Sequence, residues 1–84
     1  MEWNEVRDIE KGEEYLLKEF EFRDFISAWA FMNKVALLAE KSDHHPDWSN
    51  SYNKVTIMLS SHDAGNKITG KDRNLANLID KIGL

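Results

Sequence analysis

A single proline, Pro46, divides this chain and limits what it can become. Proline disfavours helical geometry in the residue before it, so a helix upstream must stop by Asp43 to His45, and His45 itself is held extended. A helix of good length is available there. Asp24 can cap it, its carboxylate accepting from the free backbone N–H groups of the first turn. The helix is then expected from Phe25 to about Lys41. Phe25, Trp29, Met32 and Ala36 form one apolar stripe, and Ile26, Ala30 and Leu37 a neighbouring one, together wide enough to cover a sheet. A Met and aromatic stripe at this spacing is a core face far more often than a cofactor box.

Strands fill most of the remainder. Trp3 to Ile9 reads as a short strand with Trp3, Val6 and Ile9 apolar. Tyr15 to Phe22 is stronger, because Phe20 and Phe22 alternate with Glu19 and Glu21 in the period of a half-buried sheet. Gly12 lies in the turn between them, free for a positive φ, and the two should pair as a hairpin. Beyond Pro46, Asp47 to Tyr52 is a weaker strand with Trp48, Asn50 and Tyr52 on one face, and Asn53-Lys54 its turn. Val55 to Leu59 follows, with Val55, Ile57 and Leu59 inward and Thr56 and Met58 outward. Ser60 to Ile68 is a polar loop around Gly65. Thr69-Gly70-Lys71-Asp72 matches a capping box, and Leu75, Leu78, Ile79 and Ile82 supply the apolar face of a last helix that Gly83 ends. The order β-β-α-β-β-α predicts the α+β class: a four-stranded antiparallel sheet with both helices on one face.

At 84 residues the chain is read as one domain, 1–84, since two would each be too small to bury a useful core. Such a domain is marginal without staples, and it has no cysteine. Self-association, as a homodimer or homotetramer, is the expected remedy. The formal charge of −4 argues against a grip on nucleic acid, which calls for a basic face. No apolar run approaches the roughly 20 residues that cross a bilayer, and Met1-Glu2-Trp3-Asn4-Glu5 is unlike a signal peptide. No membrane association and a cytoplasmic location are expected.

Chemistry is concentrated between Glu40 and Asp72. All three histidines (His44, His45 and His62) fall in these 33 residues beside the only proline. Histidine gives and takes protons near neutral pH, with an unperturbed pKa of about 6.5. The gathering points to a proton-transfer or ligand-binding site built from two loops flanking a strand. Other uses of the same residues compete. Asp72 serves equally well as a capping residue, Tyr52 as a sheet residue and Pro46 as a helix stop. Glu40 is a carboxylate at a helix C-terminus, where the dipole disfavours it, and that favours a role. Three imidazoles also raise the question of zinc. Adjacent His44 and His45, stiffened by Pro46, are poorly arranged to meet on one ion, so no metal is expected.

Glu40, three residues, His44-His45-Pro46, five residues, Tyr52, nine residues, His62, nine residues and Asp72 together resemble the signature of the pterin-4a-carbinolamine dehydratases. Asp24-Phe25 at the first helix start, Ala39-Glu40, the Lys54-Val55-x-Ile57-x-Leu59-Ser60 strand and Asn74-Leu75-Ala76 are similar to that family too. Members usually carry a helix before the first strand, and this chain is expected to lack it. Asn66 stands where the family often has the second of two glycines. The resemblance implies an α+β fold and dehydration of a 4a-hydroxy-tetrahydropterin, the product of an aromatic amino-acid hydroxylase, to a quinonoid dihydropterin. It implies no redox cofactor, because loss of water changes no oxidation level. Carried over by motif position, His44 and His62 are the acid/base pair and His45 orients the substrate. Glu40 and Asp43 hold a tautomer or bind the pterin, Trp48 supplies an apolar wall, and Asp63 and Asp72 are further substrate contacts. The alternative function is a non-catalytic pterin-binding or dimerisation module, using an apolar strip on the first helix or on the free sheet face.

Overall fold

A computed structural model of the protein describes residues 2–82. The elements are β1 (Asn4–Asp8), β2 (Glu13–Glu21), α1 (Phe25–Ser42), β3 (Asp47–Ser51), β4 (Lys54–Leu59), one turn of 3-10 helix (His62–Ala64) and α2 (Gly70–Asp80). The β-β-α-β-β-α order is the one expected. All four strands join in a single antiparallel sheet of order β1-β2-β4-β3. The central strands carry the core, as their alternation dictates: Leu16 and Phe20 on β2, Val55, Ile57 and Leu59 on β4.

Helix α1 begins where Asp24 accepts from the backbone N of Ser27 at 2.8 Å, and hydrogen bonding from Ser27, its side chain first and its backbone second, holds the Asp24 carboxyl below its ordinary value. The face it buries is not the expected one. Ala28, Phe31, Val35 and Ala39 are the buried positions, whereas Phe25, Ile26, Trp29 and Leu37 are exposed. The reason lies in the sequence from Phe25 to Ala39, which is apolar almost all round, so period alone selects no face. The sheet selects it. Phe31 stands 4.7 Å from Phe20 and 5.0 Å from Phe22 between ring centroids, and the small Ala28 and Ala39 flank it along the same line. On the outer side Phe25 and Trp29 stack on each other at 6.2 Å.

The hairpin of β3 and β4 is tighter than expected. Ser51 pairs with Lys54, so the turn is Tyr52-Asn53, and Tyr52 leaves the strand with a left-handed φ of 52°. Helix α2 starts on the full Thr69/Asp72 capping box. Leu75, Ala76 and Ile79 are its buried residues, while Leu78 turns outward and Ile82 packs at the edge of the core. Gly83 lies outside the described residues. The far end of α2 is clasped to the sheet, since Asp80 accepts from Trp3 Nε1 at 3.0 Å and from Lys18 Nζ at 2.9 Å.

The buried line on α1 can be tested by truncation. Phe31→Ala should cost about 3–5 kcal/mol in urea denaturation, a large part of a typical domain's stability. Leu37→Ala should stay within about 0.5 kcal/mol. Similar losses from both would mean that the helix is rotated from the orientation described.

Candidate active site

Two local devices bring the histidines together. At the end of α1, Asp43 takes a left-handed φ of 51°, and its N–H and that of His44 return to the carbonyls of Glu40 and Ala39. The short Asx side chain tolerates this geometry, which closes the helix and reverses the chain. His44 and His45 then emerge before Pro46 and β3. The second device is the loop after β4. Ser61 N donates to Lys67 O at 2.9 Å, and Gly65 and Asn66 adopt left-handed φ angles of 75° and 61°. The loop closes on itself and presents His62 at its first turn.

His44, His45 and His62 line one open cleft of about 400 Å³ together with Asp43, Pro46 and Asp63. Each imidazole has a different partner. His44, only 11% exposed, donates from Nε2 to Asp72 Oδ1 at 2.6 Å. A carboxylate can only accept, so the neutral His44 ring carries its proton on Nε2 and leaves Nδ1 free. His45, 61% exposed, donates from Nε2 to Glu40 Oε1 at 2.9 Å. His62 meets the side chain of Asn66, its Nδ1 lying 2.6 Å from Asn66 Oδ1. Asp63, on the rim, accepts from Lys71 Nζ at 3.1 Å, and this bond and the lysine's charge hold its carboxyl below the ordinary value.

Of the two uses expected for Asp72, capping residue and substrate contact, the capping one is seen directly. Asp72 is completely buried, because it is the third residue of the capping box and faces inward. Its Oδ2 accepts from Ser61 Oγ and from Thr69 N, each at 2.8 Å, and its Oδ1 is left for His44. Asp72 thus reaches the cleft only through His44. Trp48 is not among the residues that line the cleft: it pairs with Ile57 across the sheet and packs against the core. Glu40 touches the site by way of His45. The sequence reading missed Ser61, Lys71, Asn66 and Glu13. Ser61 offered one signal, a small polar residue closing an apolar alternation, and Asn66 another, its place where the family often has glycine, but Lys71 and Glu13 carried none.

Among the described residues, no three His, Cys, Asp or Glu side chains gather in a way that could hold a metal ion. No helix is long and apolar enough to cross a membrane.

Residues 1–82 match the model of a protein family described as pterin 4 alpha carbinolamine dehydratase. The chain belongs to that family. It is 54% identical, over 88% of its length and 83% of the relative's, to a Prochlorococcus marinus (strain NATL2A) protein named "Putative pterin-4-alpha-carbinolamine dehydratase". A Rhodospirillum rubrum protein of the same name is 55% identical over 80% of this chain and 69% of its own. Among solved structures, the fold is similar to a transcriptional coactivator/pterin dehydratase from Brucella melitensis, with a TM-score of 0.81 and 40% identity. That match covers 93% of this chain and 78% of the other. A pterin dehydratase-like protein described as a RuBisCO assembly factor in the alpha-carboxysome shares the fold at a TM-score of 0.78 and 23% identity, over 95% and 87% of the two chains.

Because Asp72 serves three partners at once, Asp72→Ala would leave several buried donors without acceptors, at about 1–3 kcal/mol for each one orphaned. The variant should lose several degrees of melting temperature, and the His44 ring resonances should broaden as its fixed orientation is lost. An unchanged melting curve would show that the buried network contributes nothing.

Proposed function

We propose that this protein dehydrates a 4a-hydroxy-tetrahydropterin to the quinonoid dihydropterin, with histidines as the acid and base. The observation that carries the reading is the meeting of imidazoles from two separate segments on one cleft, backed by membership of the family. The cleft, at about 400 Å³, is of the size that takes a small bicyclic ligand. In the reaction the C4a–O bond breaks and its electron pair leaves with the oxygen. The electron pair of the neighbouring N–H bond becomes the new C=N bond, and that proton goes to a base. Hydroxide leaves poorly, so an acid must protonate the oxygen as it departs.

His44 and His62 are the acid/base pair in this reading. Each has one ring nitrogen occupied by a protein partner and one left to the substrate, an arrangement suited to moving a proton without the ring turning. His45 and Asp43, on the same cleft, are assigned to orienting the pterin. Asp63, tethered to Lys71, forms the rim. Product and substrate differ only by water, so the protein's part is to position and to exchange protons.

The exposed strip of Phe25, Ile26 and Trp29 favours a second property, association of copies of this chain through α1. That association is compatible with catalysis and places no demand on the histidine cleft.

Purified protein should accelerate the loss of the carbinolamine absorbance. His44→Ala and His62→Ala should each lose about 10²–10⁴-fold in rate, the usual contribution of a positioned proton transfer. A folded protein that gives no acceleration over buffer rules the reading out. For the association, sedimentation should find an assembly that Trp29→Glu dissociates, and a monomeric unmodified protein would remove that proposal.

A further inference from the structure

An exposed imidazole on a short loop is ordinarily free to turn, and a neutral ring then divides its proton between two nitrogens. His62 is exposed and stands on a single turn of 3-10 helix. Packing therefore does little to hold it. What holds it is a hydrogen-bonded chain that runs back to the first residue of β2. His62 Nδ1 is 2.6 Å from Asn66 Oδ1, and Asn66 Nδ2 donates to Glu13 Oε2 at 3.1 Å.

The direction of this chain follows from its far end. A carboxylate oxygen accepts and has no proton to give, so the amide must turn its NH₂ group towards Glu13. Its oxygen then faces His62. An amide oxygen also only accepts, so the proton between the two side chains belongs to the imidazole Nδ1. The neutral ring is thereby the Nδ1–H form, with the lone pair on Nε2.

Asn66 is itself anchored on both flanks. Its N donates to Ser61 O at 3.0 Å, and its O accepts from Glu14 N at 2.8 Å. Glu14 in turn takes the N–H of Ile68 at 3.2 Å and, through its carbonyl, the hydroxyl of Ser60 at 2.7 Å. The start of β2 thus fixes the loop as well as the amide. Backbone geometry alone does not call for asparagine, because glycine would hold the left-handed φ with less strain. The side chain is what the position gains. A second open cleft of about 320 Å³, lined in part by Glu13, Tyr15, Met58 and Asn66, adjoins the first and shares His62 with it.

We propose that Glu13 and Asn66 are positioning residues that lock His62 as the Nδ1–H tautomer, leaving Nε2 as the atom that exchanges a proton with the substrate. The use of Nε2 in the reaction rests on the dehydratase reading, whereas the lock itself does not. The lock also makes His62 the mirror of His44. His44 gives its Nε2 to a buried carboxylate and keeps Nδ1 free, so the pair offers opposite ring atoms to the cleft.

Nitrogen-15 spectra of the histidine side chains test the lock directly, at a pH where His62 is neutral. The native protein should show His62 with Nδ1 protonated and Nε2 bare. Asn66→Gly keeps the backbone conformation and removes the amide, and Glu13→Ala frees the amide to flip. Both should give averaged ring nitrogens at His62 and leave His44 as it was. In the pair Asn66→Asp with Glu13→Gln, the amide of the new Gln donates to an acceptor-only Asp. That pair should restore the Nδ1–H pattern. In the carbinolamine assay, Asn66→Gly should lower kcat by roughly tenfold with KM little changed, a part of the ~10²–10⁴ available from a positioned proton transfer. An Nε2–H tautomer in the native protein, or an unaltered Nδ1–H pattern in both single variants, overturns the proposal. A lock without carbinolamine turnover overturns the dehydratase reading and upholds the lock, so the two fail separately.

Discussion

One buried carboxylate connects the parts of this molecule that its chemistry needs together. Asp72 has no exposed surface, and its carboxylate takes hydrogen bonds from three separate segments of the chain. Thr69 N belongs to the start of α2, Ser61 Oγ to the loop after β4, and His44 to the segment between α1 and β3. A buried carboxylate without partners would be intolerable, and here the donors come from three directions and satisfy it. Among the described residues, no buried side-chain nitrogen or oxygen lacks a partner. The same group that starts the last helix therefore sets the ring of a histidine 28 residues earlier. Capping and site geometry are one interaction.

The strands were legible because they depend on local alternation. Val55, Ile57 and Leu59 point inward for the reason a period of two requires, and no other arrangement buries them. Both ends of α1 and the start of α2 were legible on similar grounds, since Asp24, Pro46 and the Thr69/Asp72 box act within a few residues. What the sequence did not disclose was the orientation of α1. Where a helix is apolar on nearly every side, the decision passes to the surface it meets. The ring of Phe31 fits between Phe20 and Phe22, and that fit left Trp29, the larger residue, outside. Tyr52 escaped for a related reason. Its left-handed turn is imposed by the pairing of Ser51 with Lys54, without the Asn-Gly signal that announces such turns.

The candidate site divides in the same way. The histidines announced themselves by their concentration in one window, and the segments that carry them do share a cleft. Their partners did not. Glu13 lies 53 residues from Asn66, and no periodicity connects an acidic residue at the start of an early strand with a loop beyond the last. Asp72 was visible as a capping residue, yet its second oxygen is committed to His44 only because the sheet order places the end of β4 beside the end of α1. Long-range hydrogen bonding is set by topology, and topology was inferred from the same sequence only as a class.

The three imidazoles are consequently unequal, and the inequality follows from solvent. The partner of His44 is wholly desolvated, so their interaction is strong, directional and little screened by salt. The partner of His45 is a mostly exposed carboxylate, and the pair is screened by water and ions and free to exchange. His62 has a neutral partner and receives direction without a full opposing charge next to it. The three rings therefore differ in how firmly they are held: one by a buried carboxylate, one by an amide, and one by a carboxylate at the surface.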